Sequence, residues 1–181
     1  MARSGKWFAI EHWGVVPDIL TVGKGIAGGF PVGATVTTDA IAVSAPKQFS
    51  TYGGNPVSMA ATRATIDILE REGAPARAAA RGLQLRAGLD ALAREFAWIG
   101  EVRGLGLMQA LELVRDAGTK EPAPERVVAL MEAARDEGLL IGGAGLRGNV
   151  VRLGPSLLIS ESEVADGLAR LGRACARVSE G

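Results

Sequence analysis

The 181 residues are 48% apolar and 22% charged, a balance that suits a globular chain with a core of its own. Basic and acidic residues, 20 of each, cancel and are interspersed, which removes the electrostatic case for a nucleic-acid partner. No apolar run reaches the roughly 18 residues of a membrane-spanning helix, and the opening "MARSGKWFAIEHWG" lacks the apolar stretch of a secretion signal. A single cysteine, Cys175, allows no internal disulfide and fits a reducing cytoplasm. With one histidine beside it in the inventory, a soft-ligand metal site is not expected.

In chain order, "VVPDILTV" (15–22) reads as a short buried strand that runs into the glycine-rich "GKGIAGGFP", and "VGATVT" (32–37) as a second strand. The turn-rich "STYGGNP" (50–56) ends in a helix start, with Asn55 as cap and Pro56 at the first helical position. That helix runs to a stop at Gly73. A second helix covers 75–96, with Leu85, Leu89, Leu92 and Phe96 on one face. Two extended runs flank the glycines of "WIGEVRGLGLMQALEL" (98–113). A third helix spans 124–137, with Val127, Leu130, Met131 and Ala134 inward and Gly138 as its stop. Two more extended pieces, "LLIGG" and "NVVRLG", lead to a last helix entered through a capping box, Ser160 with Glu163. Its apolar stripe is Val164, Leu168, Leu171, Cys175 and Val178, which makes Cys175 a packing residue.

Residues 75–181 therefore alternate helix, strands, helix, strands, helix, the order of a compact α+β unit. Residues 1–55 hold strands and loops, joined to that unit by the helix at 56–74. Strands of the parallel, doubly covered kind need helices on both faces. Too little helix precedes them, so this first part reads as incomplete.

Two stretches match G-x-G-x-x-G: Gly23, Gly25, Gly28 and Gly143, Gly145, Gly148. A dinucleotide fingerprint opens a helix; the first match runs into Phe30-Pro31 and the second into an extended segment, so neither qualifies. A phosphate-gripping P-loop fails as well, because Gly25 follows Lys24 and Asp18 stands where its first glycine belongs. Lys24 itself stands out in a chain with 16 arginines and four lysines, Lys6, Lys24, Lys47 and Lys120. Lysine can lose its proton and arginine effectively cannot. In apolar surroundings its pKa falls, and the neutral amine adds to an aldehyde; neighbouring glycines let a flat cofactor approach the backbone. The plainer alternative is a surface lysine in a glycine loop. His12 reads as a local packing or capping residue, Trp7, Trp13 and Trp98 as core, and Glu112 as an acid with no second acid placed to join it.

"PDILTVGKGIAGGFPVGA" resembles the cofactor-lysine segment of the class III aminotransferases, fold-type I enzymes that use pyridoxal 5'-phosphate (PLP). "STYGGNPVSMAA", "IGEVRGLGLMQALEL" and "GNVVRLGPSLLISESEV" are similar to the family's later motifs, and "RSGKWFAIEHWGVVPD" to the segment just upstream of the lysine. The similarity keeps its order nearly end to end, and is strongest to the branch that includes alanine–glyoxylate and related ω-type transaminases.

The resemblance implies an α/β fold: the C-terminal part of a fold-type I PLP-transferase, with an incomplete large-domain sheet segment (1–55), a connecting helix (56–74) and a smaller α+β domain (75–181). It implies that Lys24 holds PLP covalently and later moves a proton at the substrate Cα. It makes Thr51 a ligand of the PLP phosphate across a homodimer interface, beside a turn shaped by Gly53, Gly54 and Asn55. Helix 56–72 would start next to that phosphate, where a helix N-terminus favours an anion. It makes Arg152 the clamp on the substrate carboxylate. On their residues alone, Thr51 reads as a turn residue, and Arg152 as either a clamp or a strand arginine among apolar neighbours. The partners implied are a small-molecule amino donor and a 2-oxo acid acceptor, in the cytoplasm.

The family's pattern is covered over somewhat less than half, its C-terminal part. The aspartate that pairs with the pyridine nitrogen has no counterpart in this sequence. Nor do the glycine/serine turn that holds the phosphate from the same subunit or the aromatic residue that stacks on the ring. Gly143 and Arg147 also stand where the family often carries a lysine and an aromatic. Two functions follow as expectations: PLP-dependent transamination by a chain truncated at its N-terminus, or a catalytically inactive fragment that serves as a dimerising or binding module.

Overall fold

Gly73 ends one helix and opens the next. The computed structural model describes residues 1–44 and 50–180; Lys47 lies outside them. Helix α2 (Pro56–Arg71) begins as its sequence dictates, with Pro56 in the first turn and the Asn55 side chain accepting the Ser58 N–H at 2.9 Å. Gly73, at φ 59°, adopts the left-handed turn that an L side chain resists, and α3 (Ala74–Glu95) starts directly after it. The chain then forms β3 (Ile99–Leu105), β4 (Met108–Leu113), α4 (Pro124–Asp136), β5 (Gly142–Ala144), β6 (Val150–Leu153) and α5 (Glu161–Glu180). The capping box at the start of α5 is present: Glu163 N–H donates to Ser160 Oγ at 3.2 Å, and Ser160 N–H donates to Glu163 Oε2 at 2.7 Å.

The last four strands make one antiparallel sheet in the order β3-β4-β6-β5. Strand alternation sends Gln109, Leu111 and Leu113 of β4 to the buried face. There Leu111 and Leu113 join Leu89 of α3, Leu130 and Ala134 of α4, and Leu171 and Cys175 of α5 in one core, all fully buried. Burial pushes the Cys175 thiol up to about 12, as a packing residue requires. Trp98 is core, against Phe96, with its indole N–H donating to Ser179 Oγ at 3.0 Å. Met131, expected inward, is 36% exposed, because the buried stripe of α4 is Val127, Leu130 and Ala134 and Met131 sits at its edge.

The first part of the chain departs further from expectation. Strand β1 (Ile19–Val22) is shorter than 15–22 and pairs antiparallel with β2 (Ala34–Thr37). This ribbon is not buried: Ile19 is 53% and Val36 58% exposed, because its faces are left uncovered. A short helix α1 (Asp39–Ala42) follows. Trp13, expected in the core, is 65% exposed at the end of a 3-10 turn, with His12 edge-on beside it and hydrogen-bonded to the Ser4 carbonyl. A second, small apolar cluster joins Ala2 to Leu69 and Ala74 at the α2–α3 elbow, with Met1, Trp7 and Leu157 around it. It docks the N-terminal turn onto the rest of the chain, and that docking shapes the cleft described next.

Candidate active site

Between β1 and β2 the chain makes a 3-10 turn over Lys24–Ala27. Ile26 and Ala27 are buried where this turn packs on α2, while Lys24 stays exposed. Gly28, at φ 60°, turns back so closely that a Cβ there would stand 3.3 Å from Thr65 Oγ1. Lys24 has a left-handed backbone too, φ 56°, a conformation that costs a β-carbon-bearing residue about 1–2 kcal/mol. A strained, exposed lysine held by buried neighbours marks a candidate functional position. The loop itself does not enclose the amine: Ile26 and Ala27 pack on α2 and Phe30 is half exposed, so any apolar surroundings come from other elements.

Lys24 lines a cleft of about 610 Å³ together with Arg152, Arg3 and Glu163. Arg152 comes from β6, in register with Ala110 of β4 and Gly142 of β5, and pleating puts it on the opposite face from buried Val151. The cleft thus holds three cationic side chains and one carboxylate. Glu163 is already engaged, since its carboxylate accepts from Ser160 N and Oγ, and these bonds hold its carboxyl below the usual glutamate range. Apolar walls come from α5 and from the segment before β5, including Leu168 and Ile141.

Thr51 does not line this cleft. It lies exposed in the turn that precedes α2, where Gly53 N–H donates to the Ser50 carbonyl and Asn55 N–H to the Tyr52 carbonyl. Glu112 does have a second acid beside it, contrary to the sequence expectation: Glu101 stands across the β3–β4 ladder in register with it. Arg103 bridges both carboxylates and its hydrogen bond lowers the Glu112 carboxyl from its ordinary value, so the group is an ion cluster and lies outside the cleft. Arg3 opens the family-like stretch "RSGKWFAIEHWGVVPD", but its residues alone suggest no role for it, and only the docking of the N-terminal turn brings it to the cleft.

A sequence profile of the class-III aminotransferases matches residues 1–175, so the chain belongs to that family, whose members are PLP-dependent. It is 43% identical to a 4-aminobutyrate aminotransferase of Mycobacterium leprae, over 95% of this chain and 39% of that one. It is 41% identical to a leucine/methionine racemase of Thermococcus litoralis, over all of this chain and 41% of the racemase. Among solved structures, an amine transaminase from an uncultivated Pseudomonas species, in its PLP-bound internal aldimine form, superposes with a TM-score of 0.89 at 37% identity. It covers 97% of this chain and 42% of that enzyme. The chain therefore spans about two fifths of the length of the relatives it matches, and its fold is the corresponding part of a mixed α/β transaminase. Among the described residues no helix is long and apolar enough to cross a membrane.

Proposed function

We propose that this chain carries the amine, the phosphate contact and the carboxylate clamp of a PLP-dependent aminotransferase that passes an amino group from a primary-amine donor to a 2-oxo acid. One observation carries the reading: Lys24 and Arg152, 128 positions apart by their numbers, line one cleft. The residues present fit PLP at its aldehyde end. Lys24 offers a primary amine at the cleft, and a Cβ on neighbouring Gly25 or Gly29 would meet nothing within 4 Å, which leaves room for a flat ring. They do not supply an acid for the ring nitrogen, since Glu163 is tied to Ser160. That group would come from the part of the family pattern that this chain does not span.

Bound PLP supplies the electron sink for amine exchange. Lys24 Nζ would be the group that holds the cofactor at its aldehyde end, and the same amine would move a proton at the substrate Cα. The planar fork of Arg152 takes the substrate carboxylate in two parallel hydrogen bonds and so orients the Cα toward Lys24. The Thr51 hydroxyl would donate to the phosphate across the subunit boundary of a homodimer. Its exposure in a turn outside the cleft supports that assignment, as do exposed apolar side chains nearby such as Tyr52 and Val57.

The test is spectroscopic. Protein mixed with PLP should develop a cofactor absorption band that borohydride fixes covalently on Lys24. In the assembled enzyme an amino donor should bleach that band and release a 2-oxo acid. A band that persists unchanged in Lys24→Ala overturns the role of Lys24. Inversion of an amino acid with no 2-oxo product would replace transamination by racemisation.

A further inference from the structure

Arg3 belongs to a turn that is fixed on every side. Ala2 is fully buried and left-handed at φ 60°, its N–H donates to the Trp7 carbonyl, and its own carbonyl accepts from Gly5. The Arg3 carbonyl accepts the Leu107 N–H at 2.8 Å, which ties it to the tip of the β3–β4 hairpin. The Arg3 guanidinium reaches the other way, donating from Nη1 to the Pro155 carbonyl at 2.5 Å and lying 3.7 Å from where a Cβ on Gly154 would stand. It therefore lies along the backbone just beyond β6, the strand that presents Arg152.

The two guanidiniums share one cleft, and among the described residues neither is ion-paired. Burial and then the charge of Arg152 both work against protonated Arg3. A clip onto the Pro155 carbonyl needs only a neutral donor; it does not need a cation beside another cation. Arg3 keeps donors beyond Nη1, and the one carboxylate in the cleft is held by Ser160. What relieves two neighbouring unpaired guanidiniums is an anion between them.

We infer that Arg3 and Arg152 form a two-guanidinium seat for the substrate carboxylate, with Arg3 braced on the Pro155 carbonyl as its second arm. The inference rests on the cleft being the substrate site, and it assigns a binding role to a residue outside the lysine and β6 motifs.

The probe is propionate labelled with ¹³C at its carboxyl, which has no aldehyde or ketone for Lys24 to condense with, titrated into the full chain and followed by NMR. Saturable binding should weaken about tenfold in Arg3→Gln and in Arg152→Gln alike, as for a lost charge-assisted hydrogen bond. The double variant should be little weaker than either single one, because the two arms grip one anion. Thermal unfolding shows whether Arg3→Gln retains its fold. Arg3→Lys keeps charge and a donor but loses the fork, and should bind about fivefold more weakly with an unchanged midpoint. Native affinity in Arg3→Lys, or in a folded Arg3→Gln, with Arg152→Gln impaired, overturns the seat and leaves the proposed function standing. Absence of saturable binding to the unmodified chain also overturns it, while borohydride trapping on Lys24 judges the cofactor role separately.

Discussion

Gly82 of α3 and Gly106 at the tip of the β3–β4 hairpin meet backbone to backbone: a Cβ on Gly82 would come within 2.4 Å of the Gly106 carbonyl carbon. No side-chain rotation can relieve that contact. Gly82→Ala should therefore destabilise the chain by about 2–3 kcal/mol in urea unfolding, the range of an overpacked core. Gly167→Ala in α5 is the matched control, because a Cβ there meets nothing within 4 Å. It should gain about 0.5–1 kcal/mol from helix propensity. Equal effects at the two sites would refute the close approach.

Lys24 carries a left-handed backbone that glycine adopts freely. Lys24→Gly should raise stability by about 0.5–1 kcal/mol while abolishing covalent trapping of PLP. Gly28→Ala, in the same turn at φ 60°, should move stability in the opposite direction by about 1 kcal/mol. A Lys24→Gly protein no more stable than its parent would show that the loop stores no strain.

Asn55 does more than cap α2. Its Oδ1 accepts from Ser58 N–H, and its Nδ2 donates to the Tyr52 carbonyl at 3.2 Å and to Ser58 Oγ at 3.1 Å, tying the Thr51 turn to the helix. Asn55→Ala should cost about 1 kcal/mol. Asn55→Asp, which keeps the acceptor and loses both donors, should fall between the two in chemical denaturation. An Asp variant as damaged as the Ala variant would assign the effect to the turn and not to the cap.

Glu137, just past α4, clasps α5. Its carboxylate takes Arg173 Nε at 2.6 Å and Arg177 Nη2 at 2.5 Å, and its carbonyl accepts from Arg170 at 2.7 Å. The hydrogen bond from Arg173, aided by the charges of Arg177 and Arg170, holds its carboxyl below the ordinary value near 4.5. A carboxyl lowered in the folded state stabilises fully above that ordinary value and loses its contribution as pH falls through the folded one. The melting temperature of the parent should exceed that of Glu137→Gln at pH 7, and the gap should narrow progressively as pH falls below the ordinary value. A gap that stays constant with acidity would refute the linkage.

The helices and their ends were legible because their determinants are local. Asn55-Pro56, Gly73, Gly138 and the Ser160–Glu163 pair each act within a turn, and each stands where its chemistry predicted. Strands β1 and β2 were placed but their surroundings were misjudged, because an apolar strand does not say what covers it. Met131 and Trp13 failed for the same reason, since burial depends on which neighbours arrive. Lys24 and Arg152 stand out by their motifs and line one cleft, whereas Arg3, though it opens a family-like stretch, takes no role from it.

By itself the sequence determined the long helices and their ends, the core stripe of α5 and the family, since capping, periodicity and motif order are properties of residues close together in the chain. Only the tertiary structure decided that Lys24 and Arg152 share a cleft while Thr51 stands outside it, and that Arg3 leans on Pro155 beside Arg152. Those relations join residues up to about 150 positions apart. They are made by buried contacts such as Ala2 against Leu69 and Ala74, which no short stretch of sequence contains.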